Sequence, residues 1–336
     1  MWKKIGLLSV VLAVIFVVGT VYGEDVWRPK KPITIIVPWA AGGSTDQVTR
    51  IVAGELEKPL GQKVVIVNQP GASGSVGTKS CLDAPRDGYT WTAGAVEDLG
   101  TYIIKGFLNT KLQDWHLFLD VANVQLISVN VKTPYRDFQD LLNAFKQKPG
   151  KISVATAGEA SMGHLAMETI RRYTGISYKH VAYDGGNPAV IATVSGETEV
   201  VPQLACEQVD MIRAKKLRPL AVLSDQPLEI EGYGSVPPIT KWIPNLKTNP
   251  HYFGIWTPKG VPANVISTMN KIWREVIAKS DTLKRYARER GALFTPYYGQ
   301  EAFDKSWEAV RATAWIYYEA GKAKVRPDKV GIPRPK

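Results

Sequence analysis

An α/β fold in two units is what the sequence predicts, on three observations. Strand-like apolar runs alternate with helix-like amphipathic stretches from Pro32 onward. That rhythm occurs twice. Each time, a loop of small residues leads from strand into helix. Such alternation is the pattern of sheets whose strands are buried beneath covering helices.

The first unit opens with a strand over residues 33–37, stopped at Pro38. The helix after it carries Val48, Ile51, Val52, Leu56 and Leu60 as one apolar stripe, and Gly61 stands where a C-terminal cap glycine belongs. A second strand is expected over residues 63–67, a turn at Pro70-Gly71, and a third strand over residues 89–93. The second unit repeats the plan, with a strand over residues 151–155 and a small-residue loop. A helix follows from His164, with Leu165, Met167 and Ile170 inward and Gly175 ending it. A strand over residues 180–182 leads through Asp184-Gly185-Gly186 to a helix start at Asn187-Pro188, where proline suits the first helical position. Further strands are expected over residues 217–223 and 252–256. The remainder reads as helical, with Ile266, Met269, Ile272, Trp273, Val276, Phe303, Trp307 and Val310 as core stripes. The proline-rich tail from Arg326 should wrap the surface.

Lys3 and Lys4 precede an apolar stretch over residues 5–18, followed by Thr20-Val21-Tyr22-Gly23. That is the n-region, h-region and cleavage site of a secretory signal. The run is short for a membrane span of about 20 residues. Cleavage after Gly23 and an exported, periplasmic mature chain are therefore expected. No cysteine follows the run to carry a lipid anchor, and no later segment reads as a span. The formal charge is +11, or 40 basic against 31 acidic residues once Lys3 and Lys4 are removed. Basic residues are scattered without a nucleic-acid motif, so nucleic acid is not an expected partner. A positive field suits a small anion, and solubility explains it equally well. Cys81 and Cys206 form no disulfide framework, and a bond between them is left open.

The chemistry concentrates in the two loops. In VPWAAGGSTDQ, residues 37–47, the backbone is bared just before a helix whose N–H groups and dipole receive anions. Gly42 and Gly43 admit a ligand close to the main chain, Ser44 and Thr45 add hydroxyl donors, and Asp46 complements the dipole. A merely capped helix is the bland alternative. Phosphate is weakened because G-x-x-x-x-G-K-[ST] is absent and GASGSVG has the wrong spacing for G-x-G-x-x-G. The loop over residues 156–163, TAGEASMG, repeats the logic with Thr156 and Ser161 as donors. Neither loop holds lysine or arginine, so neutral donors and an exchangeable ligand are expected. Two opposed loops suit a ligand with a carboxylate at each end. Catalysis has little support. The four histidines lie at 116, 164, 180 and 251, and HExxH, GxSxG and CxxC are all absent. Ser161 and His164 stand three apart at a helix start, where a structural cap is the simpler role. No cofactor and no metal cluster is expected.

Six stretches carry a resemblance: KPITIIVPWAAGGSTDQVTRIVAGELEKPLGQKVVIVNQPGASGSVGT, APRDGYTWTAG, ISVATAGEASMGHLAMETI, HVAYDGGNPAV, AKKLRPLAVLS and FGIWTPKGVP. They cover nearly all of the mature chain in order. The chain resembles the periplasmic solute-binding proteins of tripartite tricarboxylate transporters, the TctC or Bug family. The resemblance implies a two-lobed, type II-like periplasmic-binding-protein fold: two mixed or parallel sheets, a central cleft and hinge strands that close on a carboxylate. Lobe 1 would comprise residues 24–124 plus 253–336, and lobe 2 residues 125–252. The proximal carboxylate loop maps to Trp39, Ala41, Gly42, Gly43, Ser44, Thr45 and Asp46, with Trp39 as a pocket wall. The distal loop maps to Thr156, Ala157, Gly158, Glu159, Ser161 and His164, with Asp184 and Gln203 beside the cleft. Ala160, Ser161 and Met162 replace a Gly-Ser-Ser-like run, and Glu159, Glu97 and Asp98 bring charge where neutral residues are usual. The expected ligand is therefore a mono- or dicarboxylate, amino-bearing and aromatic forms included. The expected partners are permease subunits of a tripartite transporter, with the receptor a monomer. A receptor presenting its ligand to a sensor kinase is the alternative, and an exported hydrolase a remote one.

Overall fold

The computed structural model describes residues 26–159, 161–247 and 250–335. The signal segment and Ala160 lie outside the described residues. β1 (Ile33–Val37) is almost wholly β-branched, which fits a strand covered on both faces, and it passes into α1 (Ser44–Leu60). Val48, Val52, Leu56 and Leu60 are buried along α1, and Gly61 ends it in the left-handed conformation at φ 65°. There follow β2 (Val64–Asn68), α2 (Ser75–Asp83), β3 (Thr90–Ala95), α3 (Val96–Lys105) and β4 (Trp115–Asn123). Then come β5 (Leu126–Asn130), α4 (Phe138–Gln147), β6 (Ser153–Thr156), α5 (Met162–Thr174), β7 (Lys179–Ala182), α6 (Gly186–Ser195), β8 (Val200–Val201), α7 (Ala205–Arg213) and β9 (Leu217–Val222). A hairpin of β10 (Leu228–Ile230) and β11 (Gly234–Val236) precedes β12 (His251–Pro258). α8 (Ala263–Glu275), α9 (Asp281–Arg290), β13 (Leu293–Phe294) and α10 (Gly299–Glu319) complete the order.

Two mixed sheets result. One has the order β13-β4-β12-β3-β1-β2, with β1 parallel to both neighbours and β12 antiparallel to β3 and β4. The other has the order β7-β6-β8-β5-β9, with β6 parallel to both neighbours and β5 antiparallel to β8 and β9. The chain passes from the first sheet to the second at Val124-Gln125, between β4 and β5, and returns as β12. Each unit thus carries a strand–loop–helix passage, β1 to α1 and β6 to α5, facing the space between the sheets.

The structure adds four helices to those read from sequence: α2, α3, α4 and α7. α3 was not read from sequence although Glu97, Thr101 and Lys105 stand at helical spacing; nine of its ten residues are buried, these polar ones included. α2 begins in a Gly/Ser segment and packs so closely that a Cβ on Gly77 would lie 2.8 Å from the Gln69 carbonyl. β2, β3 and β6 start one or two residues later than expected, β7 and β12 one residue earlier, and β1 and β9 where expected. The helix expected at Asn187-Pro188 starts at Gly186, so Pro188 is its third residue rather than its first. The tail turns over Pro327–Val330, and the Trp315 indole donates to the Ile332 carbonyl at 3.2 Å. Cys81 and Cys206 are free and buried, and burial pushes the Cys81 thiol up to about 12.

The cleft between the two sheets

The proximal loop is held rigidly from behind. Asp46 accepts from Gly42 N at 2.9 Å and from Asn68 Nδ2 at 2.9 Å, and it pairs with Arg50 at 2.9 Å. Burial by itself would raise the Asp46 carboxyl, but Arg50, Gly42 and Asn68 together bring it below its ordinary value. Asn68 also donates to the Trp39 carbonyl at 3.1 Å, fixing the residue before the small-residue turn. Gly42 takes φ 80°, a conformation costly for any side chain. Gly43 is then extended at the helix start, and no side chain caps α1 from within its own loop. The N-terminal N–H groups therefore face the cleft.

The distal loop is built differently. Ser161 caps α5, accepting from His164 N at 3.4 Å and donating to the Gly158 carbonyl at 2.8 Å. Thr156 Oγ1 accepts from Gly158 N at 3.2 Å and meets His180 Nε2 at 2.6 Å. His164 lies behind the loop, where Nδ1–H donates to the Glu159 carbonyl and the ring stacks on His180 at 4.6 Å. Burial drives the His164 imidazole down to about 3, against the pull of the Glu159 carbonyl. Above pH ~6.5 the folded and unfolded forms are both neutral at this residue. Below it the unfolded chain takes a proton that the fold refuses, so stability is lost as pH falls toward 3. The buried carboxyls of Asp98 and Asp120 are raised and act with the opposite sign, so the comparison isolates one residue. His164→Gln should lose less stability than the parent between pH 7.5 and 4.5, by about 2–3 kcal/mol at ~1.4 kcal/mol per pH unit. Urea midpoints at the two pH values measure it, and parallel losses would refute the assignment.

The lobes touch across the cleft. Ala40 N donates to the Asp184 carbonyl at 3.2 Å, and a Cβ on Gly158 would lie 2.5 Å from Ser73 Oγ. What is left is an inner cavity and an outer one, both walled by Trp39 and Ala157. The inner cavity, about 30 Å³, also meets Gly43, Ser44, Thr45, Asp98, Ser161, Gln203, Glu207 and Phe253. That is room for a water or two rather than a dicarboxylate. The outer one, about 270 Å³, meets Ser73, Gly158, Glu159, Tyr183 and Asp184.

Ten of the residues singled out from sequence divide in this way: Trp39, Gly43, Ser44, Thr45, Ala157, Ser161 and Gln203 face the inner cavity, and Trp39, Ala157, Gly158, Glu159 and Asp184 the outer one. Ala41 and Gly42 are exposed on the rim. Asp46, Thr156 and His164 turn into their own lobes and line neither cavity. Sequence reading missed Glu207 as a site residue. It lies half-buried on α7, and its Oε1 accepts from Ser44 N at 2.9 Å. Burial lifts its carboxyl above the ordinary range, while hydrogen bonds from Ser44 and Leu204 hold it back. Asp98, whose carboxyl burial pushes well up, was noted only as unusual.

Two α/β lobes meeting across a cleft lined by opposed helix N-termini define a two-lobed solute-binding protein. The family described as Tripartite tricarboxylate transporter family receptor, TctC, matches residues 48–299. A UPF0065 protein from the tcbD-tcbE intergenic region of Pseudomonas sp. (strain P51) is 30% identical, covering 76% of each chain. The structure of the periplasmic binding protein BugD aligns with TM-score 0.80 at 23% identity, over 88% of this chain and 99% of that one. The R. palustris protein Rpa4515, solved with adipate, aligns with TM-score 0.78 at 24% identity, over 87% and 98%. The chain belongs to the TctC receptor family, whose members are solute-binding proteins rather than enzymes.

Proposed function

We propose that the chain is a periplasmic receptor that captures a small organic carboxylate and delivers it, as a monomer, to the permease of a tripartite transporter. Its lobes are taken as residues 24–124 with 253–336, and residues 125–252. The single observation that carries this reading is the facing pair of helix N-termini, α1 and α5, across a cleft of bared backbone and hydroxyls. Such an arrangement stabilises anions without a basic side chain. The adipate held by the structural relative agrees with it. Opening exposes both loops, and a ligand bridging them selects the closed state through the contacts it gains there. Calorimetric screening against mono-, di- and tricarboxylates and amino acids tests the reading. Binding of a sugar or nucleotide with no organic anion bound would remove it. Ser44→Ala with Thr45→Ala should weaken the best ligand about ten-fold, the equivalent of one or two hydrogen bonds. The circular dichroism spectrum should stay unchanged, and unaltered affinity would exclude both hydroxyls from the site.

A further inference from the structure

The place at the α1 N-terminus where a ligand carboxylate belongs holds a carboxylate of the protein's own. Glu207 is the third residue of α7, so its side chain emerges beside the start of its own helix, where Oε2 accepts from Leu204 N at 3.4 Å. It then crosses the cleft to take the Ser44 N–H at 2.9 Å. A Cβ on Gly186, the first residue of α6, would lie 2.1 Å from Glu207 Oε1, so the carboxylate rests on that backbone as well. Three helix N-termini converge on one internal anion.

The surroundings carry the same sign. Asp98 and Glu207 line the inner cavity and Glu159 and Asp184 the outer one, with no lysine or arginine among the described lining residues. This is an acidic cleft in a chain of formal charge +11. Lys322 bonds Glu159 at 3.3 Å, and Lys105 acts on Asp98 from along α3. Glu207, by contrast, is held by N–H and hydroxyl groups alone. Two buried polar atoms of the inner lining have no hydrogen-bond partner: Asp98 Oδ1, an acceptor, and Gln203 Nε2, a donor. Trp39 and Phe253 add aromatic walls.

We propose that Glu207 is the specificity-determining residue of the cleft: it fills the proximal carboxylate position itself, so that the ligand end entering there carries an ammonium group. The site then takes an amino-bearing carboxylate in preference to the dicarboxylate of equal length. A second carboxylate would meet Glu207 as a like charge, whereas an ammonium gains it and finds a further acceptor in Asp98 Oδ1. The ligand's own carboxylate is left to the α5 end and Gln203. This inference rests on the carboxylate-receptor reading above and names its ligand class.

Calorimetry with two matched pairs, adipate against 6-aminohexanoate and succinate against 4-aminobutyrate, tests it on the parent chain and on Glu207→Gln. The parent should bind the amino member of the better-fitting pair at least ten-fold more tightly than its diacid. Glu207→Gln should lower that ratio at least ten-fold, weakening the amino compound and strengthening the diacid. A parent that prefers the diacid, or a ratio unmoved in a folded Glu207→Gln, overturns the proposal and leaves the receptor reading standing. Failure of all four compounds on both proteins overturns the proposal and leaves the receptor reading to the wider carboxylate screen. The parent's ratio decides alone if the variant does not fold.

Discussion

Replacing Gly254 with alanine is expected to lower the thermal midpoint by roughly 10 °C or to leave no soluble protein. Gly254 lies in β12, the strand on which the chain returns to the first sheet and which pairs with both β3 and β4. A Cβ there would stand 2.2 Å from the Phe118 carbonyl oxygen and 2.8 Å from the Leu119 Cα. Those are backbone atoms in the middle of a sheet, so no rotamer change relieves the clash. Overpacking a core costs about 1–3 kcal/mol where side chains can shift. Here the cost should reach at least ~3 kcal/mol, and roughly 2–4 °C per kcal/mol is usual for chains somewhat shorter than this one. The close approach has a cause. The pairing register slips between Phe253 and Gly254, which makes Asp120 the extra residue of β4. The bulge presses β4 onto β12, and buried Asp120 is fixed in it by Val121 N at 2.7 Å. Gly54→Ala, where a Cβ meets nothing within 4 Å, serves as the control. A Gly254→Ala midpoint within 2 °C of the control's, on the order of 1 kcal/mol, would contradict the argument.

The elements that were legible in the sequence had one dry face and a local stop signal. β1 and α1 are the plainest: a β-branched run, a bared turn, a helical stripe, and a glycine that the structure shows in the left-handed conformation. Gly175 closes α5 in the same way. α3 carries a polar stripe at helical spacing, Glu97, Thr101 and Lys105, but these residues are buried too, so the pattern did not tell which face meets solvent. The same limit governs the site. Loop residues could be named because a strand-to-helix passage with small residues is a local pattern. Which of them face the cleft is decided by partners elsewhere: Asn68 and Arg50 turn Asp46 inward, and His180 does so for Thr156. Glu207 gave no local sign at all, since an acidic residue in a helix's first turn is ordinary. Its role comes from a contact with Ser44, 163 positions away in the chain.

Glu97→Ala is expected to cost about 1–3 kcal/mol, the range for leaving a buried polar group without its partner. Glu97 is fully buried in the first turn of α3, and His251 Nδ1 meets its Oε1 at 2.8 Å. The other ring nitrogen meets Gln125 Oε1 at 2.7 Å. Gln125 is oriented by its own amide, which donates to the Met162 carbonyl at 3.0 Å. Both ring nitrogens therefore face oxygen atoms. Gln125 lies on the outward crossing between the sheets and His251 on the return, so one chain of hydrogen bonds ties the crossings to each other. It also ties them to α3 and α5, the helices on either side of the inner cavity. Removing Glu97 leaves the buried His251 Nδ1 without its partner. Removing His251 as well should restore part of the loss, so the double variant Glu97→Ala/His251→Ala should be no less stable than Glu97→Ala alone. Urea unfolding of the three variants measures the coupling, and simple additivity would deny it. Because the proposed closure bends the chain at these crossings, the ligand-free Glu97→Ala protein should also scatter X-rays with a larger radius of gyration than its parent. An unchanged radius would assign the network to stability alone and leave lobe closure to the Ser44–Glu207 contact.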